Sequence, residues 1–212
     1  MKEFLFNLKI IKVNKKLLNR ELKEVLSLVK TENKHTIVSN LSPILIKKYF
    51  NIISESKSIF LFLLKKKNKV IGYSVYAKKE KYLISDFKKI KLKIFIDLLF
   101  KLKFLSLINI LLAITKIDLI LLSKKDIQRN ANSLNLNLLA INKKYQSQGI
   151  GKFFVEQTIR IIYKKLYKFN LITCEAPTIN ALNFYLKKIK FKLIGKKVRL
   201  TKNFFILQKK YK

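Results

Sequence analysis

Apolar and polar positions change their period several times along the chain, and each change marks an element. Residues 5–13, LFNLKIIKV, predict an opening strand. Over 15–30, Leu17, Leu18, Leu22, Val25, Leu26 and Val29 recur at the spacing of one helix face. Ser42-Pro43 supplies an N-cap followed by proline at the first helical position, which predicts a second helix through about Ile53. SIFLFLLKK and KVIGYSVYAKK are β-rich runs close enough to form a hairpin, although their Lys- and Asn-containing connection lacks the usual Asn-Gly.

The pattern changes at residues 86–123, which contain no Gly or Pro and are Leu- and Ile-rich with charges every few positions. Two amphipathic helices, about 86–102 and 105–122, fit this period. LNLNLLAI (134–141) then predicts a strand whose first half alternates, followed by a glycine-containing stretch and a helix to about Tyr167. LITCEA predicts a strand, and Pro177 precedes a helix over about 178–188. FKLIGKKVRL and NFFILQKK predict two closing strands. Strands and helices interleave throughout, so the fold class is α/β with a mixed sheet, in one domain over 1–212.

Composition narrows the chemistry. The single cysteine, Cys174, excludes an internal disulfide framework and suits a reducing compartment. One histidine, His35, in a polar stretch, and one cysteine are too few for a zinc site of the usual ligand types, so no metal is expected. The N-terminal segment carries Glu3 and lacks a small-residue cleavage site, and the longest uncharged apolar run, Phe104 to Thr115, is 12 residues. That is short of the roughly 20 needed to span a bilayer, so a cytoplasmic protein without a transmembrane segment is expected.

The formal charge of +35 has two readings. It can mark a surface for nucleic acid or anionic membrane. It can also reflect an AT-rich coding sequence, since Lys, Ile and Asn are abundant while Gly and Pro are scarce. Only Arg20, Arg129, Arg160 and Arg199 among the 47 basic residues are arginines, and the lysines are spread from Lys2 to Lys212. Phosphate and base recognition make heavier use of the arginine fork, so no specific nucleic-acid partner is expected.

Two of the four glycines lie in KKYQSQGIGKFF (143–154). A strand running into Gln146-Ser147-Gln148-Gly149-Ile150-Gly151-Lys152 and then a helix places backbone N–H groups at a helix N-terminus, a ready anion site. Position 154 is Phe, which excludes Gly-x-Gly-x-x-Gly, and no glycine precedes Gly149 by the spacing of a P-loop. On these grounds a phosphate site and a turn with no ligand are equally open.

The stretch Gln146 to Gly151, following LLAINKKY, resembles the Q/R-x-x-G-x-G/A acetyl-coenzyme A motif of the GNAT acetyltransferase superfamily. Tyr145 matches the turn that commonly precedes that motif, and Lys143 replaces its usual proline. ALNFYLKKIKF (181–191) is similar to the family's A-x-x-F/L-Y…G-F ending through Ala181, Phe184, Tyr185 and Phe191. Lys190 replaces the usual glycine, the Tyr185–Phe191 spacing is one residue longer than common, and Thr178 stands where Asn is frequent.

The resemblance implies a GNAT fold with a helical insertion, about 84–130, between the third and fourth strands. It implies an N-acetyltransferase that moves acetyl from acetyl-CoA to a primary amine on an amino sugar, small metabolite or protein N-terminus. Amides of Ser147, Gln148, Gly149, Ile150, Gly151 and Lys152, with Gln146, would hold the pyrophosphate. Leu139, Ala140 and Ile141 would pair with the pantetheine arm, and Thr178, Ala181 and Phe184 would complete the cofactor site. Tyr185 would be the general acid; a packed helix aromatic is its structural alternative.

Family members often carry Glu near the start of the strand before the loop, where this chain reads Leu134-Asn135-Leu136-Asn137. Glu175 is then the nearest base candidate, ahead of Glu80 and Asp86; a structural or loop carboxylate is its other reading, and a water relay or an amine already neutral would serve in place of a base. The insert is open to packing on the parent domain, to shaping the acceptor cleft, to a homodimer contact, or to weak membrane-surface docking through KKIKLKIFIDLLFKLKFL. A basic nucleic-acid- or membrane-surface-binding module on a degenerate acyltransferase fold is the alternative of a different class.

Overall fold

The computed structural model describes residues 7–34, 36–78, 94, 96–97, 132–199 and 202–211. Strand β1 is Leu8–Val13, and helix α1 spans Asn19–Glu32. The helix starts later than its apolar period suggests because Glu21 reaches back to accept from the Leu18 N–H at 3.1 Å. A one-turn helix α2, Ile37–Asn40, was not anticipated from the sequence. Helix α3, Pro43–Glu55, begins as Ser42-Pro43 predicts: Ser42 Oγ accepts from Leu45 N at 3.4 Å.

Strands β2 (Ile59–Lys66) and β3 (Lys69–Lys78) form the expected hairpin. Its two-residue turn uses Lys67 at φ 45° and Asn68 at φ 62°. Positive φ at both central positions matches the twist of a tight hairpin, so this chain makes without glycine a turn that commonly employs it. β4 is Ser133–Ile141, α4 Ile150–Lys165, β5 Leu171–Ala176 and α5 Ile179–Asn183. The chain then passes through a π-helical turn, Phe184–Ile189, into β6 (Lys192–Arg199) and β7 (Lys202–Lys210).

The strands make one seven-stranded sheet in the order β1-β2-β3-β4-β5-β7-β6. All described neighbours are antiparallel except β4 and β5. A core lies on each face. Val25 and Val29 of α1 and Ile46, Phe50 and Ile53 of α3 pack on Leu61, Leu63, Tyr73 and Val75. On the other face, Phe154, Val155, Ile159 and Ile162 of α4 pack with Tyr185 and Ile189 on Phe62, Tyr76, Leu136, Ile172 and Leu207. Burial on both faces explains why β2 reads as the unbroken apolar run IFLFLL rather than an alternation.

The helices expected at 86–102 and 105–122 fall almost wholly outside the described residues, as do His35, Glu80 and Asp86. Two contacts fix what is described of the insert. Ile94 packs against the α1–α3 core, and Asp97 Oδ2 accepts from Ser42 N at 2.9 Å, at the start of α3. Among the described residues, no helix is long and apolar enough to cross a membrane.

Candidate active site

The site is built around a change of course in β4. Its pairing with β3 shifts between Val75↔Leu138 and Tyr76↔Leu136, which leaves Asn137 as a bulge. The bulge swaps the faces served by later residues. Leu134 and Leu136 enter the α4 core, whereas Leu138 and Ala140 enter the α1–α3 core. The sequence alternation of LNLNLL therefore does not put all these leucines on one face. The added residue re-aims the second half of the strand.

The same strand parts from its neighbour. β4 pairs with β5 only from Ser133↔Leu171 to Leu136↔Cys174. Beyond that, β4 runs on to Ile141 and β5 to Ala176 with no further ladder pair between them. Among the described residues no strand pairs with Leu139 and Ala140 on this edge, an arrangement that admits an added extended chain.

At the end of β4, Gly72 holds β3 close. A Cβ there would lie 2.6 Å from Ile141 Cδ1 and 2.8 Å from the Ala140 carbonyl oxygen. The chain then makes a 3-10 turn, Lys143–Tyr145, capped by Asn142 Oδ1, which accepts from Lys144 N at 3.0 Å. Ser147 at φ 61° and Gly149 at φ 79° turn the backbone into α4, with Gly149 at the N-cap. Phe153, bonded to Gly149 O at 3.0 Å, is the first amide after the turn to find a backbone acceptor among the described residues. The amides before it are the unpaired donors of a helix start, carrying the positive end of its dipole.

The two glycines have different jobs. Gly149 adopts the left-handed backbone. Gly151 lets the first turn of α4 approach the π-helical turn after α5, because a Cβ there would meet the Phe184 ring at 3.3 Å and 3.4 Å and Ile141 Cγ1 at 3.9 Å. Gly151 and Phe184 therefore pack the start of α4 against the π-helical turn that bears Tyr185. Ile150 is fully buried beneath the loop, while Ser147, Gln148 and Lys152 are exposed.

Gln146 is exposed and folds its amide back onto its neighbours: Nε2 donates to Ile141 O at 2.7 Å and to Glu32 Oε2 at 2.8 Å. Gln148 Nε2 donates to Lys144 O at 3.0 Å. These side chains hold the loop's shape without engaging its backbone N–H groups. Thr178 caps α5, its Oγ1 accepting from Ala181 N at 3.2 Å.

Tyr185 is 6% exposed, and its ring lies 5.2 Å from Phe184 and 5.7 Å from Phe191. Burial, with smaller effects from Cys174 and Tyr76, pushes its hydroxyl well above the ordinary tyrosine value. The site keeps that hydroxyl protonated. Burial and, secondarily, Glu175 push the Cys174 thiol up as well, so it is a poor nucleophile near neutral pH. Glu175 is half-buried and alternates with Cys174 and Ala176, which face the α4 core. It therefore lies on the opposite face of the sheet from Tyr185, beside the start of the split.

Where residues 178–191 depart from the motif they resemble, the structure gives local explanations. The π turn at Phe184–Ile189 takes up one residue more than an α-helical turn would, which accounts for the long Tyr185–Phe191 spacing. Phe191 N closes it on Tyr185 O at 3.0 Å. Lys190 sits at φ 64°, the left-handed cap where glycine is ordinarily placed. Glu32, in the last turn of α1, is a site neighbour that sequence reasoning missed; nothing near it in the chain signals a contact over a hundred residues away. A separate hollow of about 280 Å³, lined by Glu156, Arg160, Ile172, Ile189, Lys209 and Tyr211 among others, shares no residue with the loop.

No family model matches the sequence, and comparison with curated proteins finds no match. Solved structures match over nearly the whole chain. A putative acetyltransferase of the GNAT family from Desulfovibrio desulfuricans is 9% identical, with 96% of this chain and 98% of that one covered at a TM-score of 0.58. Ard1 from Thermoplasma volcanium is 12% identical, with 97% and 99% covered and a TM-score of 0.57. The NatC complex bound to Gag peptide and CoA is 14% identical, with 96% and 99% covered and a TM-score of 0.54. The chain therefore has the GNAT acyltransferase fold, as its two motifs predict.

Proposed function

We propose that this protein is an acetyl-CoA-dependent N-acetyltransferase acting on a primary amine by direct attack. The observation that carries the reading is the conjunction of two features: β4 parts from β5, and the strand then runs into a helix start with unpaired amides. A thioester with a long amide-bearing arm and a pyrophosphate matches both. The open edge at Leu139–Ile141 takes the arm as an added strand, and the amides of Ser147–Lys152 take the phosphates. Gln146, Gly151, Thr178, Ala181 and Phe184 support that cradle, several of them through the packing and capping described above.

The amine attacks the thioester carbonyl across the split. The bond from the carbonyl carbon to sulfur breaks, and Tyr185, kept protonated, gives its proton to the departing thiolate. The amine's own proton leaves on the opposite face, where Glu175 is the nearest carboxylate of β5 and the proposed acceptor for it. With Cys174 buried and its thiol protonated, no acyl-enzyme is required.

Acetyl-CoA should raise the melting temperature by several degrees at concentrations well above its dissociation constant. No shift at millimolar ligand would remove the enzymatic reading and leave a basic binding module on an acyltransferase fold. That alternative demands steeply salt-dependent polyanion binding which survives loss of the glycines.

A further inference from the structure

Glu32 is placed against its helix's own preference. The last turn of α1 carries the negative end of the helix dipole, where an acidic side chain is disfavoured. A residue kept there despite that local cost has its compensation elsewhere. Its two oxygens reach the β4–α4 connection: Oε1 accepts from Lys143 N at 3.3 Å, and Oε2 accepts from Gln146 Nε2 at 2.8 Å. Gln146 Nε2 also donates to Ile141 O at 2.7 Å. One carboxylate thus ties α1 to the start of the turn and, through Gln146, to both the end of β4 and the mouth of the glycine loop. The Lys143 contact needs a backbone N–H, which the proline usual at that position would not supply.

We infer that Glu32 is a positioning residue for the donor site, holding the glycine loop in the conformation that presents its amides. The inference rests on the acetyltransferase reading. It predicts that Glu32 acts on donor binding rather than on the chemical step, because it touches the loop and none of the reacting groups.

The test uses coenzyme A and calorimetry on the full chain. Glu32→Ala is expected to weaken coenzyme A binding about fivefold to tenfold, with the ligand-free melting temperature and kcat nearly unchanged. Lys143→Pro isolates one arm. Asn142 already has the extended backbone, φ −52° and ψ 132°, that precedes proline without strain. It should weaken binding by about threefold, and the double variant should be no worse than Glu32→Ala alone, since both remove the same tie.

Glu32→Ala binding coenzyme A as tightly as the wild type, or more tightly, would show the carboxylate to be only a repelling charge and overturn the inference. So would fully additive effects, or a loss of affinity that merely tracks a fall in the ligand-free melting temperature. A wild-type protein that binds no coenzyme A would overturn the acetyltransferase reading itself, and this inference with it.

Discussion

Tyr185 shows how one side chain acquires a role from its surroundings. A phenol in water would begin to ionise near pH 10, but this one is enclosed by Phe184, Phe191 and the α4 core. Tyr185→Phe should keep the packing and coenzyme A affinity while lowering kcat about a hundredfold, read by steady-state kinetics beside calorimetry. An unchanged rate would return Tyr185 to the role of packed aromatic. The raised proton affinity also predicts that the rate shows no fall from loss of this acid up to about pH 10. Tyr49, Tyr73 and Tyr76 are shifted upward by burial too. The sign for stability follows: the folded state retains protons that the unfolded chain releases above pH 10. This stabilisation is complete below pH 10 and declines as pH rises, by up to about 1.4 kcal/mol per tyrosine per pH unit. The part of the tyrosinate absorbance that comes from these four buried rings should therefore appear together with loss of helical circular dichroism, not before it.

Elements are where the sequence was most and least legible. The helix at Pro43, the β2–β3 hairpin, the glycine-loop helix and the closing strands follow from periodicity and caps, which are local signals. The bulge at Asn137, the parting of β4 from β5 and the contact of Glu32 with Gln146 do not, because each depends on how distant segments meet. Within the site, the glycines and Tyr185 stood out by motif, whereas the separate tasks of Gly149 and Gly151 required the position of Phe184. Two substitutions test this level. Gly72→Ala drives a methyl against the Ala140 carbonyl on the neighbouring strand, so urea denaturation should show a loss of about 1–3 kcal/mol. Lys190→Gly relieves a left-handed cap, so it should stabilise the fold by about 1 kcal/mol without altering coenzyme A binding. A neutral Gly72→Ala would mean that β3 and β4 can separate freely at the loop.

At the scale of the molecule, the formal charge of +35 acts on every step above. Ion pairs among the described residues include Glu21–Lys65, Arg20–Glu24 and Lys152–Glu156, and the last two join neighbouring helix turns at sites open to solvent on at least one side. Exposed pairs of this kind contribute little, so most of the lysine charge is balanced only by mobile ions. The folded state gathers that charge into a smaller volume than the unfolded chain does, and it repels itself. Salt should relieve this. Raising sodium chloride from about 0.02 M to 0.5 M shortens the screening length from roughly 20 Å to 4 Å. A relief of about 2 kcal/mol would raise the melting temperature by roughly 5 °C for a chain of this size. The same salt should weaken non-specific polyanion binding steeply. Coenzyme A binding should fall much less, because strand pairing and oriented amides supply part of its affinity alongside charge. If coenzyme A affinity instead dropped with the slope of a simple polyphosphate, the lysine field rather than the glycine loop would be holding the donor, and the assignment of Ser147–Lys152 would have to be withdrawn.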